Sequence, residues 1–271
     1  MPPRSLSFRT KTNIKFIYLL FGVILTYFSS YLPDLAGVVG IEETRISSIV
    51  AFGSLNGMLF GPVWGAIVSG TGMLVHELNT PGYISKNAFK MLSPFFIMLC
   101  SVVSGLIVQR KHRMAISIYG SLILIWYSTD VGREAFYYPW FHIIALIAFL
   151  IVGRYATQSI YSKTYIFIYL LFAALLGVLS DHMAGSIAYS HIYDLPATVF
   201  AEAVMLYPPE RIILALSAAF IAFFLLAIYK DIIISSDNFK EDVNNMRSQE
   251  LKEYLHCDVL PLIKSEDQER R

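Results

Sequence analysis

Long apolar stretches alternate with short polar clusters along this chain, at about 14–32, 46–60, 62–77, 91–109, 114–128, 137–153, 164–188 and 209–229. A helix crossing a hydrocarbon core of roughly 30 Å needs about 20 residues, and most of these runs come close to that length. They predict an all-α, polytopic membrane protein of about eight transmembrane helices. The runs starting at 46, 114 and 137 are short, so tilted or re-entrant segments are the alternative there. The pattern divides the chain into an N-terminal segment 1–13, a membrane domain 14–230 and a polar tail 231–271. Acids and bases alternate in the tail without a long apolar face apart from Leu251, Tyr254, Leu255 and 259–263, which reads as a flexible solvated segment, with a short helix docking on a partner as the alternative.

Positive residues in short loops are retained on the cytoplasmic side, so their distribution gives direction to the bundle. One side collects Arg4, Arg9, Lys11 and Lys15, then Arg110, Lys111 and Arg113, then Arg154 and Lys163, then Lys230. The other side holds Arg45, Lys86, Lys90, Arg133 and Arg211, mostly beside acidic or polar neighbours. Both termini are therefore expected in the cytoplasm, with the chain passing repeatedly through the cell membrane. The first apolar run has no A-x-A-like cleavage site after it and is read as a retained helix. This parity requires a tight cytoplasmic turn at Gly61-Pro62. The outer loops then lie at about 33–45, 78–90, 129–136 and 189–208. Within the last, Leu195–Leu206 is expected as a short amphipathic helix, with Pro209 and Glu210 opening the final span.

The stretch from Gly53 to Asn79, GSLNGMLFGPVWGAIVSGTGMLVHELN, is where packing and polarity meet. Gly65, Ser69, Gly72 and His76 follow one another at helical spacing and share a face. Small residues let helix backbones approach closely inside a membrane, so Gly53, Gly57, Gly61, Pro62, Gly65, Gly72, Gly177 and Gly185 are assigned to helix packing. The outer end of the hairpin carries His76, Glu77 and Asn79, and Asn87 stands before the next span. Near the outer end of the 164–188 run lie Asp181 and His182. An ionisable residue inside a span marks a functional site by default, because leaving it unpaired in hydrocarbon is costly. These six residues are the candidate ligand-binding set, with Asp181 facing either water or a polar chamber shared with His76. The aromatics between Trp126 and Trp140 read as an interfacial belt, and Asp130 with Arg133 as a local surface ion pair.

Composition narrows the functional classes. The 271 residues are 56% hydrophobic and 14% aromatic, with a net charge of +1, which leaves no global field for nucleic acid. Cys100 and Cys257 form no disulfide framework, and the histidines at 76, 112, 142, 182, 191 and 256 lack metal-ligand spacing. No P-loop, G-x-S-x-G elbow or H-E-x-x-H helix is present. The expectation is a protein that is not an enzyme and carries no cofactor, catalytic residue or metal site. Its partners would be the lipid bilayer and a small-molecule substrate.

NGMLFGPVWGAIVSGTGMLVHE, a glycine-proline turn between two small-residue-rich helices, resembles the substrate-binding S components of energy-coupling factor (ECF) transporters. YPPERIILALSAAFIAFFLLAIY is similar to the final helix of that family. The resemblance covers about 46–110 and 164–230. It implies a component that captures a vitamin-like compound or a metal ion for uptake, energised by a separate transmembrane coupling protein and two ATPase subunits. That family usually has six spans, so 114–153 would be an inserted pair. The first helix lacks the alanine-x-x-x-alanine pair with which many members dock the coupling protein. A multi-span sensory domain acting through a separate cytoplasmic partner is the alternative, and an assembly scaffold without a small ligand is a third reading.

Overall fold

The computed structural model describes residues 16–32, 48–79, 88–158, 163–228 and 248. Segment 1–13, Asn87 and, apart from residue 248, the tail 231–271 lie outside the described residues. Among the described residues the chain is helical, without strands. The helices are α1 (Phe16–Ser29), α2 (Ile49–Asn79), α3 (Ala88–Val108), α4 (His112–Ser128), α5 (Asp130–Glu134), α6 (Trp140–Gln158), α7 (Lys163–Ile192), α8 (Ala197–Ala203) and α9 (Tyr207–Ile228). Stretches long and apolar enough to cross a membrane lie at Ile49–Asn79, Met91–Val108, Thr164–Ile192 and Tyr207–Leu226, with shorter apolar helices at Phe16–Ser29 and Trp140–Val152. Their outward faces carry Phe16, Phe95 and Phe220, which are 63–78% exposed. Such a surface suits hydrocarbon rather than water. The chain is a helical membrane protein.

Helix α2 is folded back on itself. Gly61 sits at φ 81°, ψ 177°, in a region that essentially only glycine occupies, and Pro62 follows without an N–H to donate. Beyond the bend Asn56 Nδ2 donates to Ser69 Oγ at 2.9 Å. In an uninterrupted helix thirteen residues would separate those groups by about 20 Å along the axis. The apolar runs expected on either side of Gly61-Pro62 are therefore two antiparallel arms, and Gly65 of the second abuts Asn56 and Gly57 of the first. Gly105 of α3 lies over the bend, where an added Cβ would come within 2.5 Å of Pro62 N and 2.8 Å of Gly57 O. That approach needs glycine.

Other contacts give every arm a direction. Gly22, Thr26 and Ser30 of α1 meet Val68, Gly72 and His76 in that order, so α1 runs parallel to the second arm of α2. Helix α3 runs antiparallel to that arm, with Ser93 at Glu77, Met98 at Gly70 and Gly105 at Pro62. Helix α7 opposes α3 through Tyr169 at Ile107 and Gly177 at Cys100. Helices α6 and α9 in turn oppose α7, through Phe149–Phe172 and His142–His182, and through Phe223–Phe167 and Tyr207–His182. Tyr119 and His112 of α4 meet His142 and Phe149 of α6, again antiparallel. Successive arms thus alternate between a Gly61 end and a His76 end.

A buried polar seam sews the centre together. Asn56, 1% exposed, also donates to Thr26 Oγ1 of α1 at 2.7 Å. The Ser69 and Ser101 hydroxyls are 2.8 Å apart, Ser101 donates to Gly53 O at 2.7 Å, and Ser54 donates to Ala174 O of α7 at 3.1 Å. Each group has found a partner, as hydrocarbon demands. Gly53 and Gly177 close the same region against Cys100, Gly72 packs on Thr26, and Gly185 is half-buried.

Two boundaries differ from expectation. Helix α7 continues to Ile192, four residues past the predicted span, because Tyr189 and Ser190 remain buried and keep the last turn packed. The short helix expected at Leu195–Leu206 is α8, and its Phe200 points inward. Gly61→Ala should lower stability by about 1–3 kcal/mol, the cost of forcing a side chain into that backbone region. Thermal unfolding in detergent should show a clear fall in midpoint, while Val63→Ala, on an exposed neighbouring position, should move it little. An unchanged midpoint for Gly61→Ala would contradict the bend.

Candidate functional site

Two groups of polar side chains occupy the His76 half of the bundle. In the first, the His76 ring lies 2.6 Å from Ser30 Oγ through Nδ1 and meets the edges of Tyr27 and Tyr31. Asn79 donates to Tyr27 Oη at 3.3 Å, and the Tyr27 and Tyr31 hydroxyls are 2.8 Å apart. Glu77, only 5% exposed, accepts from Ser93 Oγ of α3 at 3.2 Å. This group ties α1, α2 and α3 together near the surface.

The second group lies inside, where α4, α6, α7 and α9 converge. The turn from Ala135 to Pro139 follows α5, whose start Thr129 caps by accepting from Gly132 N, and it delivers Tyr138 into the interior. Tyr138 Oη is 3.0 Å from Ser186 Oγ and 3.2 Å from His182 Nε2. Beyond it, His182 Nδ1 is 3.3 Å from His142 Nε2, and the two rings stack at 5.3 Å. Tyr207, on the first turn of α9, stacks on His182 at 4.5 Å and donates to Tyr138 O at 2.8 Å. Tyr119 donates to His142 O at 3.1 Å.

The charges sit beside these rings. Arg211, four residues after Tyr207 and so on the same face of α9, is 5% exposed, and its Nη1 lies 3.8 Å from Asp181 Oδ2. That separation permits charge attraction but exceeds hydrogen-bond length. Among the described residues Arg211 Nε and Nη1 have no hydrogen-bond partner, and neither does Oε1 of Glu210, 7% exposed. Trp126 Nε1 is a further buried donor without a partner, in a box with Tyr138 at 5.0 Å and Phe200 at 4.9 Å. The seam through Asn56 is satisfied, whereas this cluster has unmet donors and an unmet acceptor. Groups left in that state inside a membrane protein fit a ligand that completes them.

Of the six residues nominated from sequence, His76, Glu77 and Asn79 belong to the first group, Asp181 and His182 to the second, and Asn87 is outside the described residues. Asp181 faces the Arg211 guanidinium with its side chain 13% exposed, while His76 lies in the other group with Ser30, Tyr27 and Tyr31, so neither water nor a chamber shared with His76 describes its setting. Tyr138, His142, Ser186, Tyr207, Glu210 and Arg211 were not nominated. The available signal was Glu210-Arg211 just inside an apolar run, opposite a span bearing Asp181. The interfacial belt needs correction: Trp126 and Tyr138 are buried against Phe200 of α8, and His142 against Tyr119, His182 and Tyr207, while Phe136 and Tyr137 face outward. Asp130 and Arg133 do form the exposed ion pair. Among the described residues no three His, Cys, Asp or Glu side chains converge as metal ligands.

Comparison with known proteins finds a relative in Methanocaldococcus jannaschii, the uncharacterized protein MJ0923. It is 24% identical over 247 residues, spanning 90% of this chain and 80% of the relative. No family model and no solved structure matches.

Proposed function

We propose that this chain is the substrate-binding component of an uptake system, holding a small molecule within the membrane and energised by a separate coupling protein and ATPase subunits. The observation that carries the reading is Arg211: a residue 5% exposed, beside Asp181, whose Nε and Nη1 have no hydrogen-bond partner among the described residues. Keeping an incompletely paired charge there is costly, and a ligand relieves that cost. The S-component resemblance of the α2 hairpin and α9 supports the division of labour with ATPase subunits.

The proposed topology has eight crossings of the cell membrane with both termini cytoplasmic. Alternation of the arms supports it, as does the collection of Arg110, Lys111 and Arg113 at the Gly61 end. That end would face the cytoplasm, and Val63 and Trp64, both exposed beside the bend, would be available to the coupling protein. The ligand site would then open outward.

In intact cells a membrane-impermeant thiol reagent should label Tyr137→Cys but not Val63→Cys, and permeabilisation should expose the second. Labelling with the reverse pattern would invert the topology. Mild-detergent purification followed by native mass spectrometry should find a bound organic molecule, together with an ATPase pair. Asp181→Asn and Arg211→Gln should each reduce its occupancy about tenfold or more, in keeping with loss of a charged hydrogen-bond partner. Recovery with a kinase instead of ATPases would favour a sensory domain, and unchanged occupancy in both variants would remove the site.

A further inference from the structure

The unmet groups in the charged cluster differ in kind, and that difference is informative. Arg211 offers donors at Nε and Nη1, so it calls for an acceptor. Glu210 Oε1 is an unmet acceptor, so it calls for a donor. Asp181 is held 3.8 Å from the guanidinium, attracted to it but without a hydrogen bond. The cluster as a whole carries two carboxylates and one guanidinium, leaving an excess negative charge when all are ionised.

A simple carboxylic acid would meet Arg211 but add a second excess negative charge in a low-dielectric setting, where like charges repel strongly. A simple amine would meet the carboxylates and leave the guanidinium donors unmet, at the full desolvation cost of those groups. A molecule with both functions satisfies each and adds no net charge. The His182 ring stacks on both His142 and Tyr207, and Tyr207 stands one turn before Arg211 on the same face of α9.

We infer that the ligand is a small zwitterion, with a carboxylate for Arg211 and an ammonium group a few bonds away for Glu210 and Asp181, as in an α-amino acid. The inference rests on the reading of this cluster as a ligand site. Arg211 is the anchor, since its guanidinium is always charged and offers directed donors at Nε and Nη1, where a lysine ammonium offers a single point charge.

The test uses the full chain in detergent and isothermal titration with three matched probe sets. These are free L-amino acids, the same acids lacking the α-amine, and the same amines lacking the carboxylate. At least one amino acid should bind saturably, with its matched acid and amine each weaker by about tenfold or more. Arg211→Lys, which keeps the charge and protects folding, should weaken amino-acid binding by a similar factor, and Glu210→Gln should narrow the gap between amino acid and matched acid. A matched acid or amine binding as tightly as the best amino acid would overturn the zwitterion while leaving a ligand site in place. So would co-purification of a non-zwitterionic molecule whose occupancy falls in Arg211→Gln. If no molecule co-purifies and no probe binds, the ligand site itself fails, and the zwitterion with it.

Discussion

Asn56 reaches Ser69 because the chain reverses at Gly61, and the rest of the bundle is built on that contact. The bend brings two arms of one helical stretch side by side, so the small residues of each face the other. Gly57 and Gly65 then allow backbone against backbone, Gly105 lets α3 lie across the bend, and Asn56 extends a second hydrogen bond to Thr26 of α1. Within lipid no hydrophobic force draws helices together, so close packing and hydrogen bonds must do so. Once α3 is seated, Ser54, Cys100 and Ser104 leave room only for Gly177, which sets the depth of α7. Asp181 is one turn beyond, and its position beside Arg211 follows from that docking.

Two polar regions inside one membrane bundle are thus treated differently. The seam through Thr26, Asn56, Ser69 and Ser101 is a closed account of donors and acceptors, and it serves rigidity. The cluster around Arg211 keeps its hydrogen-bonding groups open although they are equally hidden from solvent. A structural ion pair would close to hydrogen-bond distance and satisfy the remaining donors, because the medium penalises any that are left. The open state is what a binding site prepared for a polar guest requires. The histidine–tyrosine group alongside is held through Tyr138 and Tyr207, each of which makes a hydrogen bond as well as a ring contact.

How far these features were legible in the residues depends on their range. Local chemistry was readable: the Gly-Pro bend, the small faces of its arms, the short helix before α9, and the proline-rich first turn of α9 all depend on neighbours a few positions away. Asp181 and His182 could be nominated because a charge in an apolar run is anomalous wherever it points. Their partners were not readable, since Arg211 lies thirty positions later on another span, and spacing along the chain does not say which spans pack together. The same holds for Trp126 and Tyr138, whose composition suits an interfacial belt. Their packing against Phe200 of α8 makes them interior, and no local pattern announces such a cover. His76 and Glu77 were visible as polar residues at a helix end, but their role in joining α1 and α3 to the hairpin required the parallel register of α1, which spacing does not encode.

The dependence of the whole arrangement on the fold-back of α2 can be measured directly. Spin labels at Ser48→Cys and Leu78→Cys, at the two ends of the stretch, would stand about 45 Å apart if the helix ran uninterrupted, at 1.5 Å per residue. With the arms side by side at the usual 8–10 Å interaxial distance, label separation in reconstituted bilayers should instead fall below about 25 Å. A double electron–electron resonance distribution centred there is the predicted result. One centred near the longer distance would contradict the fold-back, and with it the packing that positions Asp181 and Arg211.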